Sequence, residues 1–301
     1  MNWREATVAD AESVVALANA HELSVDKAAS TFGHEGALSF IKGYVDPCAA
    51  RLLFKKETLV AMVNLHPDSI RGHLAADVYV LPGSDMLQIA IDEMEGWAKS
   101  AYPSFEIRPG TNVLDTDLRS AYLKRDYEEL RIFWTMRRPL GHEQFPEIPA
   151  PYRLERIDIS DEQNLRQWHS AHLDAFANHF GFVPRPFENW RTLVVGEPTV
   201  DKDGVFLIFE GERVVAYVEC SFEYAEDQKG YISLLGVVDD RRGRGLGELA
   251  LRVGLARSAE IGFKTVELNV DSGNESGALR LYEKLGFKSE SAWVQFKKIS
   301  R

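Results

Sequence analysis

The sequence predicts a mixed α/β fold that occurs twice in tandem. Short β-branched and apolar runs alternate with segments whose apolar residues recur at helical spacing. Segments from the two halves of the chain resemble each other, and a proline-rich stretch lies between them. The chain has 301 residues, which suits two domains of about 150 residues each. These observations together predict two copies of one domain.

Each copy opens with a short strand and a helix. The first opening, WREATVADAESVVALANA, starts at Trp3, and its counterpart, YRLERIDISDEQNLRQWHSA, starts at Tyr152. Thr7 or Asp10 can begin the first helix, because both residue types are favoured at helix N-caps. Apolar residues three and four apart then predict one buried helix face.

Two further pairs of segments repeat in the same order. The segments RLLFKKETLVAMVNL (51–65) and FLIFEGERVVAYVEC (206–220) each predict a β-hairpin with a polar turn. The segments AYLKRDYEELRIFWTMRR (121–138) and LYEKLGFKSESAWVQFKK (281–298) match near the two ends. The period is about 150 to 160 residues, which indicates a repeated domain rather than a solenoid unit.

The two copies are joined by PLGHEQFPEIPAP, residues 139–151. Its prolines remove backbone donors and fix φ, which predicts an extended, semi-rigid connector. We therefore predict an N-terminal domain at 1–138, a linker at 139–151 and a C-terminal domain at 152–301.

Composition narrows the class of protein. Apolar content of 45% and charged content of 27% are typical of a soluble globular protein, and no segment is apolar enough to span a membrane or to act as a secretory signal. Only Cys48 and Cys220 are present, so we expect neither a disulfide framework nor a metal site, and we expect a cytoplasmic location. The net charge of -11 disfavours a nucleic-acid partner and favours an amine-bearing one.

The most informative stretch is LLGVVDDRRGRGLGELALRVGLA, residues 234–256. It reads as a strand, a glycine-rich turn and a helix. Glycines at positions 243, 245 and 247 let the backbone approach a ligand closely, and the amides at a helix N-terminus favour an anion. Arg242 and Arg244 add positive charge. This pattern predicts a phosphate or pyrophosphate site.

The segments that follow complete the pattern: a strand at 263–270, Asn274 in a polar loop and a helix ending in ALRLYEKLGF (278–287). The order resembles the Gcn5-related N-acetyltransferase (GNAT) superfamily. Its pyrophosphate signature, [Q/R]-x-x-G-x-[G/A], is matched by Arg242, Gly245 and Gly247. Its later N…A…Y-x-K-x-G-F signature is matched by Asn274, Ala278, Tyr282, Lys284, Gly286 and Phe287.

The resemblance implies a fold and a cosubstrate. Each domain is expected to hold a central mixed, mostly antiparallel sheet flanked by helices. Acetyl-CoA is expected as cosubstrate, with its pantetheine arm in a gap beside the strand that precedes the glycine loop. The acetyl-CoA site that the resemblance implies comprises Leu235, Val237, Val238, Arg242, Gly243, Arg244, Gly245, Leu246, Gly247, Asn274 and Tyr282.

Transfer to an amine needs a base and an acid. The resemblance implies Tyr282 as the acid that protonates the departing thiolate. Asn274 is expected to cap or orient the turn before the last helix and to touch the pantetheine, with a pure N-cap role as the alternative. Many family members carry a Glu on the strand before the loop, but here that strand presents Tyr231 and Ser233. Tyr231 and, on the preceding strand, Glu219 or Glu223 therefore stay open as alternatives for the base.

Acceptor selection in this superfamily usually involves the first two helices and their loop, here residues 168–190. The spacing of His172, Phe176 and His179 predicts that they share one helix face. His179 and Phe182 are our candidates for contact with the acceptor. Core packing is the alternative for most aromatic residues of this segment.

The first copy lacks the phosphate loop. Its counterpart, VYVLPGSDMLQIAIDEMEGWA, holds Gly83, no arginine, and Asp85 where a polyphosphate would need positive charge, although Tyr122 keeps the place of Tyr282. We predict that this half retains the fold without acetyl-CoA and shapes part of the second half; a different ligand is the alternative. The chain is expected to be a monomer with an internal pseudo-dimer, or a homodimer.

The sequence therefore predicts an acetyl-CoA-dependent N-acetyltransferase that acts on a small-molecule amine by direct transfer in a ternary complex. The tandem architecture with a degenerate first half also resembles mycothiol synthase, which implies acetylation of a cysteinyl amine as an alternative. A third alternative is a non-catalytic acyl-CoA sensor, because no glutamate occupies the usual strand.

Overall fold

The computed structural model describes residues 2–42, 49–197, 199–274 and 276–298, without the side chains of Glu35 and Ser39. Cys48 lies outside the described residues. Contacts divide the chain into two compact units, which are described separately. Unit 1 comprises Met1–Thr135, Asp271–Gly273 and Ser289–Arg301, and unit 2 comprises Met136–Val270 and Asn274–Lys288.

The two units are built from matching sets of helices and strands. The elements of the first copy are β1 (Trp3–Glu5), α1 (Ala11–Val25), α2 (His34–Ile41), β2 (Ala49–Lys55), β3 (Thr58–Asp68), β4 (His73–Val80), α3 (Leu87–Ala101), β5 (Glu106–Asn112), α4 (Thr116–Leu123) and β6 (Tyr127–Pro139). Those of the second are β7 (Tyr152–Arg156), α5 (Glu162–Phe176), α6 (Phe187–Gly196), β8 (Val200–Glu210), β9 (Arg213–Ser221), β10 (Lys229–Val237), α7 (Leu246–Ile261), β11 (Thr265–Asp271), α8 (Ala278–Lys284) and β12 (Lys288–Lys298).

The sheet of unit 1 has the strand order β1-β2-β3-β4-β5-β12-β6. Its pairs are antiparallel from β1 to β4 and between β5 and β12, whereas β4 and β5 are parallel. The last strand of the chain, β12, therefore lies in unit 1, where Trp293 pairs with Asn112 and its ring covers Gly110. The predicted linker at 139–151 stays a prediction, but the contact units do not follow the predicted domain ranges at the end of the chain.

In unit 2, the strand order is β11-β10-β9-β8-β7, with the end of β6 beside β11. The β10–β11 pair is parallel, and the others from β7 to β10 are antiparallel. Each sheet is thus mixed and mostly antiparallel with helices packed on it, which confirms the predicted fold class. The hairpins also match in detail, because a register shift occurs just before Phe54 in one and before Phe209 in the other.

Helices cover both faces of each sheet. In unit 1, α1 and α2 contribute to one apolar cluster and α3 and α4 to another. In unit 2, the buried Trp168 of α5 packs edge-on against Trp190 of α6, with ring centroids 4.8 Å apart. On α7, Arg257 forms a buried ion pair with Asp201 of β8 at 2.7 Å. None of the helices in the described part of the chain is long and apolar enough to cross a membrane.

Candidate acetyl transfer site

The parallel strands β10 and β11 separate near their middle. Their pairing runs from Lys229–Thr265 to Ile232–Leu268 and stops there, although both strands continue. The register between β10 and β9 shifts between Ile232 and Leu234, and β9 then stays paired with β10 as far as Val237. Backbone groups on the β11 side of residues 233–237 therefore line a gap, as the resemblance predicts for a pantetheine arm.

The glycine loop connects this gap to α7. A single 3-10 turn at Asp239–Arg241 leads into the loop, and α7 begins at Leu246 with Gly245 as its N-cap. Gly243 and Gly245 have φ of 75° and 82°, which side chains rarely tolerate. The first amides of α7 have no partner within the helix and carry the positive end of its dipole. The loop is suited to an anion, and Arg244 is exposed beside it.

The end of α5 holds the loop in place. The guanidinium of Arg242 donates to the Ala175 carbonyl at 2.6 Å, and the Asp239 N–H donates to the Asp174 carboxylate at 2.9 Å. Arg213 bridges Asp174 and Asp240. Arg242 therefore positions the loop, which leaves Arg244 as the better placed of the two predicted arginines to meet a phosphate.

Helix α8 reaches the same loop. A Cβ on Gly247 would lie 3.3 Å from Leu281 and 3.6 Å from Val237, so the start of α7, α8 and the end of β10 meet at this glycine. Tyr282, the next residue on α8, is 8% exposed. Burial raises its pKa to about 12, so its phenol holds its proton at neutral pH.

Asn274 shapes the turn before α8. Its side-chain oxygen accepts a hydrogen bond from the Ser276 N–H at 2.8 Å. The N-cap of α8 is Gly277, which has a φ of 85°. The alternative that Asn274 caps the helix is therefore wrong, and its contact with pantetheine stays a prediction.

A polar face lies on the opposite side of the sheet from α7. Tyr231 of β10 pairs with Ser221 of β9 and with Glu267 of β11, so these side chains share one face. Asn269 donates to the Tyr231 hydroxyl at 3.0 Å. Burial raises the pKa of Tyr231 above its usual range, and Glu223 and Glu267 add to the shift. As a phenol that keeps its proton, Tyr231 is poorly suited to act as the base.

Glu219 of β9 is the carboxyl nearest the register shift, because it pairs with Leu234. It is 6% exposed. Burial raises its pKa to about 8, opposed by a hydrogen bond with Ser233 and reinforced by the charge of Glu197. A carboxyl that titrates near neutral pH can take a proton from an ammonium group.

Two further carboxyls, Glu223 and Glu267, lie near Tyr231. Burial raises the pKa of Glu223 to about 7. Glu267 is 1% exposed and is neutralised by Arg137 at 2.8 Å. This face therefore holds more than one carboxyl that a cationic acceptor can contact. Glu219 is the carboxyl that lies beside the gap.

Helix α5, which precedes His179 and Phe182, is shorter than the sequence suggests. Helix α5 ends at Phe176, so His179 lies in the turn beyond it. The predicted shared helix face is therefore confirmed for His172 and Phe176 and wrong for His179. The His179 ring packs 5.3 Å from Phe176. Phe182 packs against His172, with ring centroids 5.7 Å apart. Contact of His179 or Phe182 with an acceptor stays a prediction.

The sequence analysis missed the contact between His172 and Tyr217. The Nδ1 atom of His172 lies 2.8 Å from the Tyr217 hydroxyl, and Tyr217 shares its strand face with Glu219. The Tyr217 ring lies over Gly236, where a Cβ would be 2.4 Å from the ring. The one signal for this contact in the sequence was a glycine, Gly236, in the predicted strand beside the strand that holds Tyr217.

Comparisons with known proteins agree with this geometry. Residues 160–287 match the family model "Acetyltransferase (GNAT) family". The chain carries a GNAT acetyltransferase domain. The matched range holds the strand gap, the glycine loop and Tyr282, so the predicted resemblance to this family is confirmed.

Comparisons with relatives and with solved structures extend the similarity to both halves of the chain. A mycothiol acetyltransferase of Streptomyces scabiei is 27% identical over 93% of this chain and 89% of its own length. One of Thermobispora bispora is 31% identical over 56% of this chain, and the match spans 57% of that relative. A solved tandem GNAT protein from the clavulanic acid biosynthesis pathway superposes with a TM-score of 0.73 at 15% identity, covering 98% of this chain and 97% of that one. The GNAT fold is therefore present in tandem.

Proposed function

We propose that this chain is an acetyl-CoA-dependent N-acetyltransferase whose acceptor is a small-molecule amine, acetylated by direct attack in a ternary complex within unit 2. The observation that carries the proposal is the end of β10–β11 pairing at Ile232–Leu268 beside a glycine loop that opens onto α7. A strand edge with unpaired backbone groups accommodates an amide-containing arm, and the α7 N-terminus accommodates its pyrophosphate. No metal takes part in the proposed reaction.

The proposed reaction uses two residues of unit 2. Glu219 accepts a proton from the bound ammonium group, and the neutral nitrogen then attacks the thioester carbonyl. Backbone N–H groups at Leu235 and Val237 stabilise the oxyanion of the tetrahedral intermediate. The carbon–sulfur bond then breaks as the Tyr282 phenol passes a proton to the departing thiolate, and Tyr282 recovers that proton from the nitrogen, which must lose its second proton to become the amide. The products are the acetylated amine and coenzyme A.

The charge of the site favours an acceptor that arrives protonated. The negative charge of Glu197 raises the pKa values of both Glu219 and Glu223. A bound ammonium ion would relieve this repulsion. We therefore place a primary amine near these carboxyls rather than a carboxylate-rich substrate.

A cysteinyl amine is a second candidate acceptor. The observation that favours it is the series of relatives named mycothiol acetyltransferase, of which one aligns over most of the chain. This candidate needs the same proton transfers at Glu219 and Tyr282, so only the acceptor pocket distinguishes it from other small amines.

The proposal can be tested by measuring acetyl-CoA consumption by the purified chain with a panel of small amines that includes cysteinyl compounds. Because free cysteine thiols interfere with thiol reagents, loss of the thioester absorbance and mass spectrometry of the product are the readouts. The expected result is acceptor-dependent consumption that is lost in Glu219→Gln. Tight acetyl-CoA binding without consumption by any acceptor would instead support a sensor.

A further inference from the structure

Unit 1 contains a second separation of parallel strands. The β4–β5 pairing runs from His73–Glu106 to Ala76–Pro109, and β4 then continues to Val80. Asp77 is the first residue beyond the last pair, just as Ser233 is in unit 2. The place that corresponds to the acetyl transfer site thus carries a carboxyl in unit 1.

Asp77 and its neighbour His66 are partly buried on the sheet face that α1 and α2 cover. Their side chains remain 23% and 32% exposed, with Oδ2 and Nε2 3.8 Å apart. Burial nevertheless raises the pKa of Asp77 to about 7 and lowers that of His66 to about 4. Both side chains are thus accessible yet poorly hydrated. His66 is neutral at neutral pH and cannot compensate the charge of Asp77.

The other charged groups near Asp77 compensate this negative charge only in part, because His21 lowers the pKa of Glu22 whereas Asp115 and Asp26 raise it. Glu22 of α1 raises the pKa of Asp77 through its negative charge. His21 lies 3.1 Å from Asp115, whose carboxylate balances it, and its other ring nitrogen contacts the Val80 backbone. Among the described residues, no lysine or arginine forms an ion pair with Asp77 or Glu22.

A buried acceptor without a donor lies beside Asp77. Asn64 is 0% exposed and stands directly opposite Asp77 on β3, so both side chains project from the same sheet face. The Asn64 amide donates to the Phe40 carbonyl, but its Oδ1 atom has no hydrogen-bond partner in the described part of the chain. Leaving such an atom unsatisfied is costly, which indicates that a donor belongs here.

Aromatic rings pack together on this face of the sheet. Phe40 packs against Tyr79, with ring centroids 5.7 Å apart, and against His66 at 6.4 Å. Tyr79 in turn packs edge-on against His21 at 5.5 Å. Aromatic faces beside carboxylates are the surroundings that bind organic ammonium ions, whereas a hard metal ion favours oxygen ligands alone.

The geometry points to a binding site for a small organic ammonium ion in unit 1, held by Asp77, Glu22 and the Oδ1 atom of Asn64 against Phe40 and Tyr79. The ligand supplies the missing N–H donors and the missing positive charge. This site is separate from the acetyl transfer site and does not depend on the proposed reaction. It also gives the degenerate half a ligand without the phosphate loop that acetyl-CoA requires.

The site can be tested by titrating the full chain, without acetyl-CoA, with benzylamine and following the backbone amide NMR signals of Asp77–Val80. The expected result is saturable shifts with benzylamine and none with benzyl alcohol, which has similar shape but no charge. Asp77→Asn should weaken binding at least tenfold. Asp85→Asn is the matched control, because Asp85 is an exposed carboxylate of the same unit paired with Lys55.

Two outcomes would overturn the inference. Absence of shifts in Asp77–Val80 with wild-type protein would do so, as would equal affinity of Asp77→Asn and wild type. Should Asp77→Asn fail to fold, Glu22→Gln serves in its place, with at least a threefold loss expected and an unchanged affinity counting against the site. Shifts produced by Mg²⁺ but not by benzylamine would replace the ammonium ion with a metal.

Discussion

In each unit the corresponding pair of parallel strands separates, but different residues surround the gap. In unit 2, β10 leads through Gly243 and Gly245 into α7, and the loop carries an exposed arginine. In unit 1, β4 leads through Gly83 into α3, and the loop carries Asp85. We therefore propose that the strand geometry alone does not make an acetyl-CoA site. The loop that follows decides whether a polyphosphate can be held.

The tyrosines differ in the same way. Tyr122 of α4 is 0% exposed, is packed between Tyr127 and Phe296, and its hydroxyl has no hydrogen-bond partner among the described residues. Tyr282 of α8 retains 8% exposure at the junction with the glycine loop. A residue kept at one position in both copies thus serves packing in one and, in the proposed reaction, donates a proton in the other.

The largest expected effect comes from the glycine loop. Gly245→Glu places a carboxylate at the α7 N-terminus and forces a side chain onto a φ of 82°. We expect acetyl-CoA affinity to fall at least about 100-fold, because the new carboxylate repels the pyrophosphate and the side chain strains the loop. Isothermal titration calorimetry measures it.

Gly83→Glu is the matched control, because Gly83 has a φ of 74° and equally open surroundings in unit 1. Its acetyl-CoA affinity should equal that of the wild type. A comparable loss in both variants would mean that the two loops do not differ in function.

Removing the proposed base should have the next largest effect. Glu219→Gln keeps the shape but cannot accept a proton, so we expect turnover near pH 8 to fall about 100-fold. In the wild type, kcat/KM should rise with pH through about 8 as Glu219 loses its proton. Initial rates from pH 6 to 9 test this, and a variant that keeps the same rise would remove Glu219 from the mechanism.

Tyr282→Phe should lower turnover at least about tenfold and leave acetyl-CoA affinity nearly unchanged, because only the proton donor is lost. Steady-state rates and calorimetry on the same sample separate the two quantities. Tyr122→Phe is the control in unit 1, and it should leave turnover unaltered. Equal rates for Tyr282→Phe and the wild type would assign Tyr282 to packing.

A smaller effect is expected at His179, the residue proposed to contact the acceptor. His179→Ala should raise the KM for the acceptor by about two- to fivefold without a change in kcat, as expected for a residue that contributes only binding. His172→Ala should instead lower kcat, since it removes the partner of Tyr217 beside Glu219. Acceptor titrations at saturating acetyl-CoA distinguish the two, and identical kinetics of His179→Ala and wild type would return His179 to a structural role.

The smallest expected effect is on stability, and it should appear in both units. Glu219 and Asp77 have folded-state pKa values of about 8 and about 7, above their ordinary values of 4.5 and 3.8. Between the ordinary and the raised value the folded state binds more protons, so the free energy of unfolding falls as pH rises. Glu219→Gln and Asp77→Asn should each reduce this fall. Thermal unfolding at pH 5 and pH 8 measures it, and a slope equal to that of the wild type would show that burial does not perturb the group.

Local features of the site could be predicted from the sequence. The glycine loop, its strand and its helix follow from residues adjacent in the chain, and φ values above zero at Gly243 and Gly245 require no distant contact. The hairpins were equally accessible, because alternating apolar residues and polar turns specify them. Repetition of these segments then indicated the tandem fold.

Features that depend on distant contacts could not be predicted. Helix α5 ends before His179, and near this end the carbonyl of Ala175 accepts a hydrogen bond from Arg242. Because Arg242 lies far along the chain, no local signal in the sequence marked the end of the helix. The placement of β12 in unit 1 depends on pairing with β5 rather than on its own pattern. The raised pKa of Glu219 depends on burial by several elements, which residue type alone does not reveal.

The most direct test of the central claim is a crystal structure of the chain with coenzyme A. The account predicts one molecule in unit 2, with its pyrophosphate at the amides of Gly243–Gly247 and its pantetheine along β10 beyond Ile232. Density at the β4–β5 gap of unit 1, or a coenzyme A in unit 2 that avoids β10, would contradict it.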